Sequence, residues 1–110
     1  MKIENIELYY LSMPEILDEA DGSQDALIVK VEAGGLVGWG ECEASPLTSI
    51  ANFICPKSHS AANPIRDSVI NQNINDLNDV KKIIETVKHR SLMIAQTPHT
   101  FSGIEVALLD

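Results

Sequence analysis

A Gly-Gly pair, Gly34-Gly35, separates two runs of strand-forming residues, and it constrains the fold more than any other feature of this 110-residue sequence. Glycine adopts positive φ without strain, and a two-residue type I′ turn requires positive φ at both central positions. The pair therefore predicts a β-hairpin between the runs DALIVKVEA and LVGWGECE. The turn also sets the register, which pairs Ala33 with Leu36, Val31 with Gly38, Val29 with Gly40 and Leu27 with Cys42.

One face of this hairpin is apolar but has glycines where side chains are expected, at Gly38 and Gly40. Glycine weakens a strand, so its presence there predicts that another element packs close to the backbone. We expect that element to be a long helix over residues 77–94. The apolar residues of this helix recur at helical spacing, with Ile83 beside them: Leu77, Val80, Ile84, Val87 and Ile94. On the opposite face of the hairpin, Lys30 lies beside Trp39 and can cover the indole ring with its methylenes.

The remaining pattern adds one strand and two further helices. The run KIENIELYYLSM (Lys2–Met13) alternates as a strand, and Pro64 begins a short helix with Asn63 as its cap. The long helix follows a cap at Asn75 or Asp76, and a last helix includes HTFSGIEVALLD. The sequence thus predicts an α+β fold, in which a three-stranded antiparallel meander is followed by a helical bundle.

Two long segments have no clear period: Pro14–Gln24 between the first two strands, and Glu43–Asn63 after the hairpin. Loops of this length are uncommon in a compact domain unless they serve a function, and loops often carry binding residues. The second segment contains His59, for which we predict a ligand contact. Cys55 lies close to it in sequence, but that closeness is weak evidence for a catalytic thiol–imidazole pair.

Composition excludes several classes of function. The formal net charge of −8 leaves nothing to neutralise a run of phosphates, so we expect no nucleic-acid partner. No stretch approaches the ~20 apolar residues of a membrane span, and the first ten residues alternate charged and apolar side chains, unlike an export signal. We therefore expect a cytoplasmic protein in which Cys42 and Cys55 are reduced thiols rather than a disulfide.

Candidate catalytic groups are few. Glu41 and Glu43 share a face of one strand, but isolated strand carboxylates usually face solvent, so we expect a structural role for the first and a loop-entry position for the second. His89 and His99 are expected on a helix face and at a helix start, and no histidine pair has metal-binding spacing with a carboxylate. We therefore predict no catalytic residue and no metal site within this chain.

Two motifs carry a resemblance to a known family: GLVGWGE (Gly35–Glu41) on the third strand and SGIEVALLD (Ser102–Asp110) in the last helix. With the matching order of strands, long loop and helices, the chain resembles the N-terminal capping domain of the mandelate racemase/muconate lactonizing enzyme group of the enolase superfamily. The likeness covers nearly the whole chain. It departs at Asn71, where the family often has glycine, but asparagine tolerates the same left-handed backbone.

The resemblance implies an enzyme whose chemistry lies outside this chain. In such enzymes a (β/α)₇β barrel holds the acid–base residues and Mg²⁺, which stabilises the enediolate formed by removing a proton next to a carboxylate. The capping domain supplies two loops that close over the barrel and sort substrates. By position these loops correspond to Pro14–Gln24 and Glu43–Asn63. The candidate substrate-loop residues are Leu17, Asp18, Glu43, Ser45, Cys55 and His59.

The last helix reaches Leu109-Asp110 without a glycine, a cap or a basic residue, and negative charge there opposes the helix dipole. We therefore expect residues 1–110 to form one capping domain, cut within its last helix before the barrel. Such a fragment is expected to be inactive alone. It is also expected to self-associate through a side that lacks part of its cover, formed by Phe101, Ile104 and Leu108.

The expected function is substrate selection and active-site closure in a Mg²⁺-dependent acid-sugar dehydratase (a lyase) or racemase/epimerase (an isomerase). The expected partners are the chain's own barrel domain and a small carboxylate substrate, with no cofactor bound in this chain and no membrane. The alternative is a free-standing α+β module that binds a ligand or a protein partner and has no enzymatic role.

Overall fold

The computed structural model describes residues 1–15, 25–42, 46–91 and 97–110, in which three strands precede four helices. The strands are β1 (Ile3–Leu11), β2 (Ala26–Ala33) and β3 (Leu36–Cys42), and they form one antiparallel sheet in the order β1-β2-β3. The helices are α1 (Pro46–Ile54), α2 (Ile65–Val69), α3 (Leu77–Arg90) and α4 (Thr97–Leu109). This arrangement confirms the predicted α+β fold with a three-stranded meander.

The hairpin between β2 and β3 has the predicted turn and register. Gly34 and Gly35 have φ angles of 55° and 80°, the positive values that a type I′ turn requires. Every predicted pair is present, including Val29 with Gly40 and Lys30 with Trp39. The two-residue turn fixes this register. Burial of one face also favours it, because a slip of one residue would move each apolar side chain to the solvent face.

The start of β1 is held by a segment that follows α2. The N–H of Ile3 donates to the carbonyl of Gln72 at 2.8 Å, and the N–H of Asn71 donates to the carbonyl of Ile3 at 2.9 Å. Asn71 has a φ of 67°, which confirms the left-handed backbone expected at this position. This conformation turns the chain at the end of α2, so that the next residues run beside β1.

The helices cover one face of the sheet and enclose the core. Val29 and Leu27 of β2, Ile65 and Val69 of α2 and Ile104 of α4 are at most 1% exposed. Other members of the core from β1, β2, β3 and the helices are Ile3, Ile6, Val31, Cys42, Phe53, Ile83, Val87, Phe101 and Ala107. The opposite face of the sheet carries the more exposed side chains, among them Tyr9 and Trp39.

The helix that covers the glycines of β3 is α4, and the prediction that the long helix α3 does so is wrong. A Cβ added at Gly38 would lie 1.9 Å from the carbonyl oxygen of Ala107, and one at Gly40 would lie 2.0 Å from that of Gly103. Gly103 itself faces β3, because a Cβ there would lie 2.8 Å from the backbone nitrogen of Cys42. Glycines on both elements therefore allow the helix and strand backbones to touch, as the in-strand glycines indicated.

Helix α3 starts at the predicted cap and buries much of the predicted stripe, with Ile84 partly buried against the core. The carboxylate of Asp76 accepts the N–H of Asp79 at 3.1 Å. Val80, Ile83 and Val87 are buried, whereas Leu77 in the first turn is 56% exposed. Ile94 lies outside the described residues.

Helix α1 lies within the segment that we interpreted as a loop, so that interpretation is wrong for Pro46–Ile54. Its buried residues are Ser49, Asn52 and Phe53, while Leu47 and Ile54 are 66% and 60% exposed. Two polar side chains face inward and two large apolar ones face outward, so the apolar residues of this helix do not mark its buried side.

The apolar side of α4 is covered by the same chain, contrary to expectation. Phe101 and Ile104 are 4% and 1% exposed, and Leu108, the third residue of that side, is partly buried against the core. The exposed apolar residues of α4 are instead Val106 and Leu109. Beyond the helix, a carboxylate oxygen of Asp110 accepts the N–H of Trp39 at 3.1 Å, at the outer edge of β3.

Candidate functional site

The two segments that the sequence singled out leave the same end of the sheet. Strand β1 ends at Leu11, which is paired with Ala26 at the start of β2. Leu27 is in turn paired with Cys42, where β3 ends. The connection between β1 and β2 and the chain that follows β3 therefore emerge side by side, and we call this edge the loop end of the sheet.

The structure describes two of the six predicted substrate-loop residues. Leu17 and Asp18 in the first segment, and Glu43 and Ser45 in the second, lie outside the described residues. Cys55 and His59 follow α1 and are described. Cys55 is partly buried and His59 is exposed.

Asp25 ties together the two sides of the first segment, a role that the sequence did not reveal. One carboxylate oxygen accepts the N–H of Met13 at 2.7 Å, and the other accepts the hydroxyl of Tyr10. Both hydrogen bonds lower the pKa of the Asp25 carboxyl below its ordinary value, and the bond from the Tyr10 hydroxyl has the larger effect. The same bond to a carboxylate raises the pKa of the Tyr10 phenol. Asp25 thus joins the flanks of this segment beyond the last strand pair.

The two cysteines lie in different surroundings. Cys42 is buried under α4, and loss of hydration raises the pKa of its thiol to about 11, although a backbone hydrogen bond with Gly103 opposes the shift. The Cys55 thiol lies 4.0 Å from the carbonyl of Asn52, one turn earlier in the chain. Cys42 and Cys55 are not joined by a disulfide, and no hydrogen bond joins Cys55 to His59.

His59 begins a tight turn that its own ring helps to close. The N–H of Ala62 donates to the carbonyl of His59 at 3.1 Å, and the N–H of Ser58 donates to the carbonyl of Ala62 at 3.3 Å. The ring nitrogen Nδ1 accepts the N–H of Ala61 at 3.2 Å, and the hydroxyl of Ser60 lies 3.5 Å from the same nitrogen. The imidazole is therefore held on the turn by its inner nitrogen.

Asn63 anchors this turn to the end of α3, and the prediction that it caps the following helix is wrong. The residue that caps α2 is Pro64, and Asn63 is 1% exposed. The Asn63 amide donates to the carbonyls of Ser60 and Arg90, both at 2.8 Å, and its backbone N–H donates to the carbonyl of Arg90 at 2.9 Å. The hydroxyl of Ser91 donates to the Asn63 carbonyl at 2.6 Å. The position of Asn63 before a proline suggested a helix start. Only the tertiary structure shows which groups its amide contacts.

The open face of the sheet carries a polar and aromatic cluster. Lys30 is 5.8 Å from the centre of the Trp39 ring, as predicted, and pairs with Glu32 at 2.8 Å. The hydroxyl of Tyr9 donates to Glu7 and lowers the pKa of that carboxyl, while Glu32 raises the pKa of Lys30. These groups are satisfied by their neighbours on the strands, so the cluster is explained by sheet packing.

The described residues contain no group of three or more histidine, cysteine or acidic side chains that could hold a metal ion. Glu41 lies exposed on β3, and Glu43 lies outside the described residues. None of the helices in the described ranges is both long and apolar enough to cross a bilayer.

Comparison with known proteins gives two informative structural matches. No protein-family model and no curated protein matches the chain. The crystal structure of a protein described as a predicted mandelate racemase, from Rhodobacter sphaeroides, matches 99% of this chain at 55% identity with a TM-score of 0.95. A protein provisionally described as a racemase matches 99% of the chain at 22% identity with a TM-score of 0.78, which shows the fold alone.

The chain covers 28% and 27% of the lengths of these two proteins, so it spans little more than a quarter of each. The more similar one combines high identity with a nearly identical backbone, as the GLVGWGE and SGIEVALLD motifs led us to expect. The chain therefore corresponds in sequence and fold to a part of the Rhodobacter sphaeroides protein, as expected from its resemblance to the N-terminal domain of the mandelate racemase/muconate lactonizing enzyme group.

Proposed function

We propose that this chain is the capping domain of an enzyme that removes a proton next to a carboxylate, of the acid-sugar dehydratase or racemase/epimerase type. The observation that supports this most strongly is the 55% identity, over 99% of the chain, to a protein described as a predicted mandelate racemase. In this proposal residues 1–110 form one domain, and a barrel domain supplies the acid–base residues.

The role of the chain in this proposal is to select the substrate and to exclude water. Both candidate loop segments emerge at the loop end of the sheet, where they can face one ligand from the same side. Exclusion of water strengthens the electrostatic interactions that stabilise a developing negative charge. Asp25 and Asn63 support this role by holding the chain at the flanks of the two segments.

Mg²⁺ is implied for enzymes of this kind, and the described residues of this chain do not fit it. Mg²⁺ prefers several oxygen ligands in octahedral geometry, and no suitable cluster of acidic side chains is present in the described ranges. We therefore assign no step of the reaction to a metal held by these residues. The proposal places the ion in the barrel domain.

The test is proton exchange catalysed by the full reading frame. The encoded protein is incubated in D₂O with Mg²⁺ and a panel of mandelate, aldonic acids and other α-substituted carboxylic acids, and loss of the α-proton signal is followed by ¹H NMR. We expect exchange or dehydration of at least one acid with the full protein and none with residues 1–110. If the full protein reacts with none of the acids, the proposal is contradicted. If residues 1–110 alone catalyse a reaction, the placement of the acid–base residues in a barrel domain is contradicted.

A cytoplasmic location and self-association remain proposals. Two cysteines that are not joined in a disulfide support a reducing compartment. Phe101 and Ile104 are buried and so are not the surface for self-association. Val106 and Leu109, which are 53% and 55% exposed, are the candidates on α4. Sedimentation velocity at increasing concentration tests it: a concentration-independent monomer would contradict self-association, and lysine at both exposed positions should abolish any association that is seen.

A further inference from the structure

The hydrogen bonds of the turn at Ser58–Ala62 determine which nitrogen of His59 carries the proton. A backbone N–H can only donate, so the contact of Ala61 N–H with Nδ1 at 3.2 Å makes Nδ1 an acceptor. The Ser60 hydroxyl, 3.5 Å from Nδ1, can donate to the same nitrogen. The neutral imidazole therefore has its proton on Nε2, the outer nitrogen of the ring.

The turn that carries this imidazole is anchored, although the ring itself is exposed. Asn63 lies beneath it, 1% exposed, with its amide bonded at 2.8 Å to the carbonyl of Ser60 and at 2.8 Å to that of Arg90. The end of α3 thus supports the turn through a buried polar group. Since the imidazole is exposed, packing of the core does not account for its position.

The Nε2–H group of His59 has no hydrogen-bond partner among the described residues. An oriented donor on a supported turn suits a ligand atom that accepts hydrogen bonds, because the supporting bonds reduce the freedom that is lost on binding. A neutral donor also suits either a carboxylate or a hydroxyl oxygen.

We propose that His59 donates a hydrogen bond through Nε2–H to a carboxylate or hydroxyl oxygen of the substrate and so contributes to substrate selection. This inference rests on the proposed function, and it assigns the residue, the atom and the chemistry of the contact. His59 is a binding residue here, with Asn63 and Ala61 as positioning residues.

The first experiment measures the tautomer in this chain without any ligand. Histidine is labelled with ¹⁵N, and long-range ¹H–¹⁵N correlation spectra are recorded at pH 8, where imidazole is in its neutral form. We expect the Nε2–H tautomer for His59, assigned by its absence from the spectrum of His59→Gln. A predominant Nδ1–H tautomer, or an equal mixture of the two, would overturn the inference.

The second experiment compares two variants whose side chains imitate opposite halves of the ring. In His59→Asn, the amide oxygen can still accept the Ala61 N–H, as asparagine does in Asx turns, but the outer donor is lost. In His59→Gln, the longer side chain can place an N–H near the position of Nε2 and does not need the turn contact. A purely structural role predicts that the Asn variant resembles the wild type, whereas a role in binding predicts that the Gln variant does.

The full-length variants are assayed with the acid that reacts fastest in the proton-exchange panel. For His59→Asn we expect kcat/KM to fall by about 10-fold to 100-fold, mainly through KM, as expected for a lost hydrogen bond to a charged group. For His59→Gln we expect a change below about fivefold, because a donor remains. Equal activities of the two variants, or the reverse order, would overturn the inference while leaving the proposed function intact. If the wild-type protein reacts with none of the acids, the proposed function itself is overturned, and the ligand contact with it.

Discussion

The contact between α4 and β3 predicts a large loss of stability when a single methyl group is added at Gly40. A Cβ there would lie 2.0 Å from the carbonyl oxygen of Gly103, with the carbonyl carbon of Gly103 and the nitrogen of Ala107 both at 3.0 Å. Ordinary contacts of a Cβ begin at 3.4 Å, so the helix must move away by more than 1 Å. The obstructing atoms belong to the backbone of a helix, which cannot rotate away as a flexible side chain would.

The expected free-energy change follows from two opposing effects. Overpacking a well-filled interior costs about 1 to 3 kcal/mol, and a backbone obstruction places Gly40→Ala at the upper end of this range. Replacing a strand glycine also restricts the unfolded chain, which stabilises the fold by about 0.5 to 1 kcal/mol. We therefore expect Gly40→Ala to lower the free energy of unfolding by about 2 kcal/mol.

The assay is urea unfolding at 25 °C, followed by far-UV circular dichroism and by the fluorescence of Trp39. With a dependence on urea of about 1.5 kcal/mol per molar, the midpoint should fall by about 1.3 M. The matched control is Gly35→Asn, because a Cβ at Gly35 meets nothing within 4 Å and asparagine tolerates its φ of 80°. The reasoning is refuted if the midpoint of Gly40→Ala equals that of the wild type or of this control.

Three further predictions test the thiols, the first segment and the turn anchor. Iodoacetamide at pH 8 should modify Cys55 well before Cys42, whose pKa of about 11 and burial leave little thiolate, and comparable rates in the native state would contradict this. Asp25→Ala should speed amide hydrogen exchange at Met13, while Asp25→Glu should have a smaller effect. An unchanged exchange rate would contradict the proposal that Asp25 holds Met13. Because the pKa of Asp25 is lowered in the folded state, this tie stabilises above the unfolded pKa of the carboxyl and is lost as pH falls through the folded pKa. Asn63→Ala should lower the free energy of unfolding by about 1 to 3 kcal/mol, since it removes two hydrogen bonds that a buried amide donates to the carbonyls of Ser60 and Arg90, and equal urea midpoints would contradict that cost.

Local chemistry explains most of what the sequence predicted correctly. The turn at Gly34-Gly35 and the left-handed Asn71 depend on backbone sterics that act within a few residues. The capping role of Asp76 is equally local. These features were predictable because no distant part of the chain is needed to satisfy them.

Helix α1 and the anchor at Asn63 were not predictable in the same way. Ser49 and Asn52 point into the protein, so apolar periodicity fails where polar residues form part of the interior. Asn63 precedes a helix and has a common cap residue type, but its amide is bonded to the end of α3, 27 residues further along the chain. The orientation of the His59 ring depends on the same anchored turn, so the sequence could indicate the residue but not the direction of its ring nitrogens.

The amino-acid sequence by itself determined the meander, the register of its hairpin and the need for a backbone to approach Gly38 and Gly40. Only the tertiary structure decided that α4 rather than α3 meets those glycines, since both helices carry apolar side chains. The physical reason is that α4 alone of the two has a glycine, Gly103, facing the strand, which allows two backbones to come within contact distance. A pattern of apolar residues specifies that a helix is covered, whereas the fit of the facing surfaces specifies its partner.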